Sequence, residues 1–596
     1  MNLLMALLLA CSPAAIKAGI RYTLHVDPSD LSGWIVEIRL TAPADTFRLA
    51  MAAHPEYDDR YRRYVRDFSV QSSGGRATFS QVDSAVWQVV AAPGMVTVRY
   101  RIALPQDPPG PRSAWKPFLT PTGGLFGGPH AFMYVIGGEH QPVVLTLDVP
   151  RDWVIATGLE HTTDPYLFRA ANAAALIDAP ILAGRLRTWR FTAAGVPHTI
   201  AYWPSPDATP FDTIALVSGV RAIVDQAIAV FDTTPYRDYT FQIQDGAWGA
   251  LEHRNSVTLG APSSALARAD GLRDMLAETA HEFFHTWNLM AIQPVEYREI
   301  DYRTQPPVAS LWFSEGLTMY YADLLRRRAG LPGDDSTRVG HLERRIASYL
   351  ANPAYTHFSA EAISRVAYNA EPGALGDYSA STHLQGELIG TMLDLIIRDA
   401  SGGRRSMDDV MRLLFARSSV GGRGGIDSHV IEHAAEETCG CDVTAFFDSN
   451  VRGAAVIDFN RYLALIGLQQ QVTWAPALRD GQPEVDLRIW GWDPGDGSVR
   501  IAVSNPASIW GAAGLHSGDR LLRMNGAPVA TWPELRARLQ RLRLGDTVQV
   551  VVQRPAGPFT ATVVVAGFER PTVTIVPAPS AGAGARRLGE AWLSGR

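Results

Sequence analysis

Leu276-Ala-Glu-Thr-Ala-His281-Glu282-Phe-Phe-His285-Thr-Trp287-Asn288 is the stretch on which the reading of this chain turns. In a helix, residues four apart share a face, so His281 and His285 aim two imidazoles at one point. Glu282, beside the first histidine, reaches a water on a metal that those rings hold. Two nitrogen ligands, an open coordination position and a carboxylate base make up the H-E-x-x-H pattern of zinc hydrolases. The competing reading is a buried helix whose histidines bond to backbone. Residues further along weigh against it.

Hydrolytic zinc takes a third protein ligand and leaves one position for water. Glu315 lies thirty residues after His285, in Leu311-Trp312-Phe313-Ser314-Glu315-Gly316, which is patterned as the next helix. A lone glutamate opening a helix is more often a partner of the helix dipole; the paired histidines reverse that reading. One Zn2+ ion on His281, His285 and Glu315 is therefore expected. Glu252, in Gly249-Ala250-Leu251-Glu252-His253-Arg254-Asn255-Ser256, taken alone is merely an exposed acid.

The rest of the chain sets bounds. At 596 residues it is too long for one core and suggests about three to five domains. A hydrophobic share of 46% and a charged share of 19% describe a folded protein. A net charge of −6 without a basic stripe argues against nucleic acid as a partner, and none is expected. Met1 to Ala10 is a short apolar run ending in Leu8-Leu9-Ala10-Cys11, read as a secretory signal with a bacterial lipoprotein processing site or a simple cleavage near Ala18. The expectation is an exported, periplasmic protein, touching the membrane only through an anchor at Cys11. Cys439 and Cys441 are read as too close for an ordinary bridge and as small hydrophobes with weak thiols.

From Tyr22 to Arg190 the segments Tyr22–Val26, Gly33–Leu40, Met95–Ile102 and Pro142–Val149 are β-branched and partly alternating, a β-sandwich pattern. Near Thr199 the rhythm changes: Phe211 to Phe231 is helical and Tyr239 to Gln244 is a strand. Helices dominate from Asp335 to Leu468, and Ser406-Met-Asp-Asp409 carries a capping signature. Gly511-Ala-Ala-Gly514-Leu515-His-Ser-Gly518-Asp519, Asn525-Gly526, the capped helix at Thr531 and Gly545-Asp-Thr-Val are similar to PDZ domains. Such domains add a peptide C-terminus as an extra strand at a sheet edge. Trp490-Gly-Trp-Asp-Pro is the nearest candidate for the carboxylate loop.

Taken together, these segments resemble the glycyl aminopeptidase family of gluzincin zinc metallopeptidases. The resemblance implies an α+β multidomain chain: a β-sandwich at 19–195, a thermolysin-like zinc catalytic domain at 196–335, a helical domain at 336–470 and a PDZ domain at 471–572; the apolar start is read as a signal at 1–18, and the Ala/Gly-rich composition of the end as a disordered tail at 573–596. It implies hydrolysis of peptides, with Glu282 as base and Gly249, Ala250 and Leu251 lying along the substrate. Glu252 would bind the substrate's free ammonium group. The family's basic stretch after Trp287-Asn288 is replaced by Met290-Ala291-Ile292-Gln293-Pro294. Where the family carries an oxyanion-binding tyrosine three residues before a glycine, this chain has His383 before Gly386. Three outcomes follow: His383 substitutes, Tyr378 swings in, or the enzyme is slow. An endopeptidase on the same scaffold, or a zinc-bound scaffold acting through its PDZ domain, are the alternatives to an aminopeptidase.

Overall fold

The computed structural model describes residues 19–52, 61–105, 111–298, 301–304, 306–331, 337–368, 372–419 and 424–595. The leader and Cys11 lie outside the described residues. The expected N-terminal strands form: Ile20–His25, Gly33–Thr41, Met95–Ala103 and Val143–Asp148 lie in one seven-stranded sheet. Alternation puts Tyr22, Leu24, Val36, Ile38 and Val98 into a core shared with Leu49, Trp87 and Val89 of a facing four-stranded sheet. A further four-stranded sheet packs Leu125 and Leu182 against Ala201 and Trp203, which belong to the next domain.

That domain is built on a mixed sheet of β1 (Arg187–Ala193), β2 (Val196–Trp203), β3 (Tyr239–Gln244), β4 (Ala250–Glu252) and β5 (Ser256–Gly260). The order is β1-β2-β3-β5-β4, with β2, β3 and β5 parallel and β4 antiparallel at one edge. The boundary expected at 195/196 is corrected: it cuts the β1–β2 hairpin, whose pairing runs from Arg187↔Tyr202 to Ala193↔Val196. Strand β1 therefore belongs to the catalytic sheet. Helix α1 (Thr213–Phe231), capped by the Asp212 side chain, packs Leu216, Val220 and Val224 into the same core.

Helix α2 (Ala269–Phe284) carries the histidine motif, α3 (Leu311–Arg328) carries Glu315, and α4 (Arg338–Leu350) and α5 (Ala360–Val366) follow. Helix α6 (Thr382–Ser401) starts on an N-cap at Ser381 and ends at Gly402 with φ 62°. It lies against α3 closely enough that backbone meets backbone. A Cβ at Gly386 would fall 1.8 Å from the Trp312 carbonyl oxygen, and one at Gly316 would fall 2.2 Å from the Gly386 carbonyl carbon. This contact holds Glu315 and His383 in register. Gly386→Ala gains about 1 kcal/mol of helix propensity, but neither backbone can yield, so overpacking wins. The variant is expected to melt at lower temperature and to lose activity, which a thermal scan and an assay check together.

Helices α7 (Met407–Ser419) and α8 (Ser428–Cys439) continue the helical domain, and short helical turns carry it to Ile466. Asp409 accepts from the Ser406 backbone N–H, the capping bond anticipated for α7. Cys439 and Cys441 form a disulfide, which corrects the reading as free thiols. Gly440, at φ 63°, ends α8 and reverses the chain, bringing the two Cα atoms to 5.2 Å.

The C-terminal module hangs on a two-stranded stem, β6 (Leu468–Pro476) paired with β12 (Glu569–Pro577). Between them β7 (Ile489–Trp492), β8 (Val499–Val503), β9 (Arg520–Met524), β10 (Thr547–Arg554) and β11 (Gly557–Val564) form a sheet in that order. Asn525 and Gly526, with φ of 51° and 77°, make the tight turn their sequence predicts. Helix α9 (Trp532–Leu539), capped by Thr531, lies beside the edge strand β7, with Trp532 and Leu535 against Gly491.

The disordered tail expected at 573–596 is corrected. Its first residues are the end of β12, and α10 (Ala583–Leu593) follows. Trp592 is buried against the Arg338 guanidinium, 4.0 Å from the ring centre, and Arg338 donates to the Trp592 carbonyl at 2.6 Å. The Ala/Gly-rich composition hid this aromatic anchor.

Candidate metal centre and active site

Helix α2 turns Met275, Leu276, Thr279, Ala280 and Phe283 into the core, and its last turn leaves His281 and Glu282 facing a cavity. His285 closes the helix. The two Nε2 atoms lie 3.1 Å apart, and Glu315 Oε2 is 3.5 Å from His281 Nε2 and 3.3 Å from His285 Nε2. One ligand atom from each residue falls within 4.8 Å of the others. His285 donates Nδ1–H to the Asn288 carbonyl at 2.9 Å, so Nε2 is the nitrogen that becomes the lone-pair donor once the ring is neutral. Asn288 in turn donates to the carbonyls of Phe313 and Ser314 and to the Thr318 hydroxyl, at 3.2, 3.0 and 3.1 Å. Motif and third ligand are thereby fixed to each other.

Without a metal the trio is electrostatically crowded. Burial pushes His281 down to about 4. Burial also acts to lower His285, but the Glu315 carboxylate outweighs it and carries His285 up to about 10. Burial would raise Glu315, yet His285 and His383 hold it well below the usual carboxylate range. Two nitrogens and one oxygen converging on one buried point fit a zinc ion, which would relieve this crowding. His285 must lose its proton to bind metal, so zinc uptake at pH 7 is expected to release about one proton. Apparent affinity should rise with pH up to about 10, above which apo His285 is neutral. Calorimetry in buffers of different ionisation enthalpy measures the release.

The other expected site residues gather around this point. Glu282 is buried and lines a cavity with His281 and His383. Glu252, at the end of β4, is buried and close enough for its charge to act on His285. Gly249 enters β4 at φ 72°, with the Trp115 ring 3.0 Å from where a Cβ would sit, so this turn needs glycine. Ala250 and Leu251 pair with Leu259 and Thr258 of β5 and leave the other side of β4 as the sheet's edge.

His383 Nε2 lies 3.1 Å from Glu315 Oε2, with its ring stacked 5.8 Å from that of His281. Glu315 draws its pKa up against the effect of burial. Tyr378 does not swing in: it packs on His357 and Phe358, with ring centres 4.6 and 5.6 Å away. A tyrosine that the sequence reading missed stands at the third ligand instead. The Tyr368 hydroxyl, just past α5, donates to Glu315 Oε1. The loop leading to His383 is gripped by the C-terminal module, where Asp377 takes His516 Nδ1 at 2.6 Å and the Ser517 N–H at 2.7 Å. In the Met290–Pro294 stretch, Ile292 is fully buried and its N–H bonds to the Trp287 carbonyl at 2.8 Å, so the stretch is built into the core beside the motif.

Comparison with known proteins agrees with this geometry. A model described as the Peptidase M61 N-terminal domain matches residues 23–185, one described as M61 glycyl aminopeptidase matches 274–389, and a PDZ domain model matches 483–553. No curated protein sequence matches the chain. The solved structure of an aminopeptidase N family protein from Idiomarina loihiensis shares the fold: 22% identity and a TM-score of 0.75 over 96% of this chain and 100% of that one. An M1 zinc metallopeptidase variant from Deinococcus radiodurans, solved with a Tyr-Ser-Ala substrate, aligns with 71% of this chain and 92% of its own at 17% identity and a TM-score of 0.45. With both M61 models matched in order and the PDZ model after them, the chain is similar to the M61 glycyl aminopeptidases over these segments and is a zinc metallopeptidase.

Proposed function

We propose that the protein is an aminopeptidase that removes N-terminal residues, glycine or alanine first, from peptides. The observation that carries this is the placement of Glu252 at an open sheet edge within electrostatic reach of the His281–His285–Glu315 centre. A zinc ion held by those three residues would polarise the scissile carbonyl and acidify the attacking water. Glu282 takes the water's proton and later delivers it to the leaving amine. The substrate extends along β4, pairing with its edge, and Glu252 accepts from its ammonium group. Charge developing on the carbonyl oxygen would be met by His383 or Tyr368, both of which stand at the Glu315 carboxylate.

The aminopeptidase reading requires a free amino terminus. Gly-Ala-Ala should be cleaved and its N-acetyl form should not. Glu252→Gln should lower kcat/KM for the free peptide by about 10–100-fold, the loss of one charge-assisted hydrogen bond. Equal cleavage of the free and acetylated peptides would make the protein an endopeptidase. The PDZ groove between β7 and α9 is proposed to take a peptide C-terminus.

A further inference from the structure

The cavity beside the metal ligands has walls of opposite charge. Helix α2 contributes Asp274, Glu278 and the base Glu282, whereas α4 contributes His341, Arg344 and Arg345. Its volume is about 590 Å³, the size of a pocket for a small organic ligand. Its walls come from α2, α3, α4 and the start of α6, so it extends the site away from the β4 edge. A peptide with its amino end on β4 and its first carbonyl at the metal sends its leaving fragment into this space. A helix-lined cavity of this volume suits a short fragment.

The basic wall is built rather than incidental. Glu387 of α6 is buried, and its two carboxylate oxygens are taken by Arg345 Nε at 2.7 Å and by His341 Nε2. This fixes the plane of the Arg345 guanidinium, which lies near enough for its charge to act on His383. Arg344 stands next to it on the exposed rim. Asp323, the acid that α3 presents to the cavity, is committed to Arg327 at 2.7 Å. The acids of α2 would repel an anion and drive it toward α4. A guanidinium fork matches a carboxylate in shape as well as charge.

We infer that Arg345, oriented by Glu387, and Arg344 beside it form a subsite for the free C-terminal carboxylate of a short peptide's leaving fragment. The enzyme would then prefer small peptides that are free at both ends. This rests on the aminopeptidase reading for the direction in which the peptide lies.

The test compares Gly-Ala-Ala with Gly-Ala-Ala amide. Calorimetry on zinc-loaded Glu282→Gln protein, which holds peptide without cutting it, should show the acid binding about tenfold or more tightly than the amide. Wild-type protein should show the same preference in KM. Removing Arg345 would leave buried Glu387 without its guanidinium, so the informative variant is Arg344→Gln at the exposed rim. It should shrink the preference to about threefold or less with an unchanged melting temperature. Equal affinity for acid and amide would overturn the subsite while leaving the peptidase reading intact. An acid preference in binding with neither peptide cleaved would uphold the subsite and overturn the peptidase reading.

Discussion

Glu282→Gln is expected to lower kcat by about 10²–10⁴-fold, with zinc still bound. The amide keeps the shape of the side chain but cannot accept the water's proton. His281 and His285, which flank it, still point at the metal from the same helix, so metal content should stay near that of the wild type. Because Glu282 acts in the chemical step, KM for Gly-leading peptides should change little. Kinetics and metal analysis of one preparation separate this outcome from misfolding. A variant that retained full activity would remove Glu282 from the mechanism.

Glu315→Ala is the second large effect, and it differs in kind. It removes the oxygen ligand, the carboxylate that holds His285 protonated in the apo protein, and the acceptor for Tyr368 and His383. Zinc affinity should fall more than about 100-fold, beyond what loss of an outer-shell partner costs. Activity should fall with occupancy and return in part at high zinc concentration. Glu282→Gln activity should not respond to added zinc, so the two variants assign different roles to neighbouring acids.

The metal site was legible because its geometry is local. His281 and His285 sit one helical turn apart, and the acid on the next helix needed only that α3 return beside α2. Glu252 needed more: a strand edge recognised by resemblance, which the sheet order then supplied. His383 was found by counting back from Gly386, and the contact of that glycine with Trp312 and Gly316 gives the count its physical reason. Tyr368 had no such signal. It reaches Glu315 from a helix end 53 residues further along, by a fold that no local spacing encodes. Composition misled at the C-terminus, where Trp592 and Arg338 dock a segment whose neighbours are alanine and glycine. Distance along the chain misled at Cys439 and Cys441, because the left-handed Gly440 folds two residues into bonding range.

The most direct test of a zinc peptidase centred on His281, His285 and Glu315 is to titrate zinc into metal-free protein while following hydrolysis of Gly-Ala-Ala. Activity should rise linearly and level off at one zinc per chain, and the Glu315→Ala variant should show no such break. Hydrolysis by the metal-free chain, or an unchanged titration in the variant, would contradict the account.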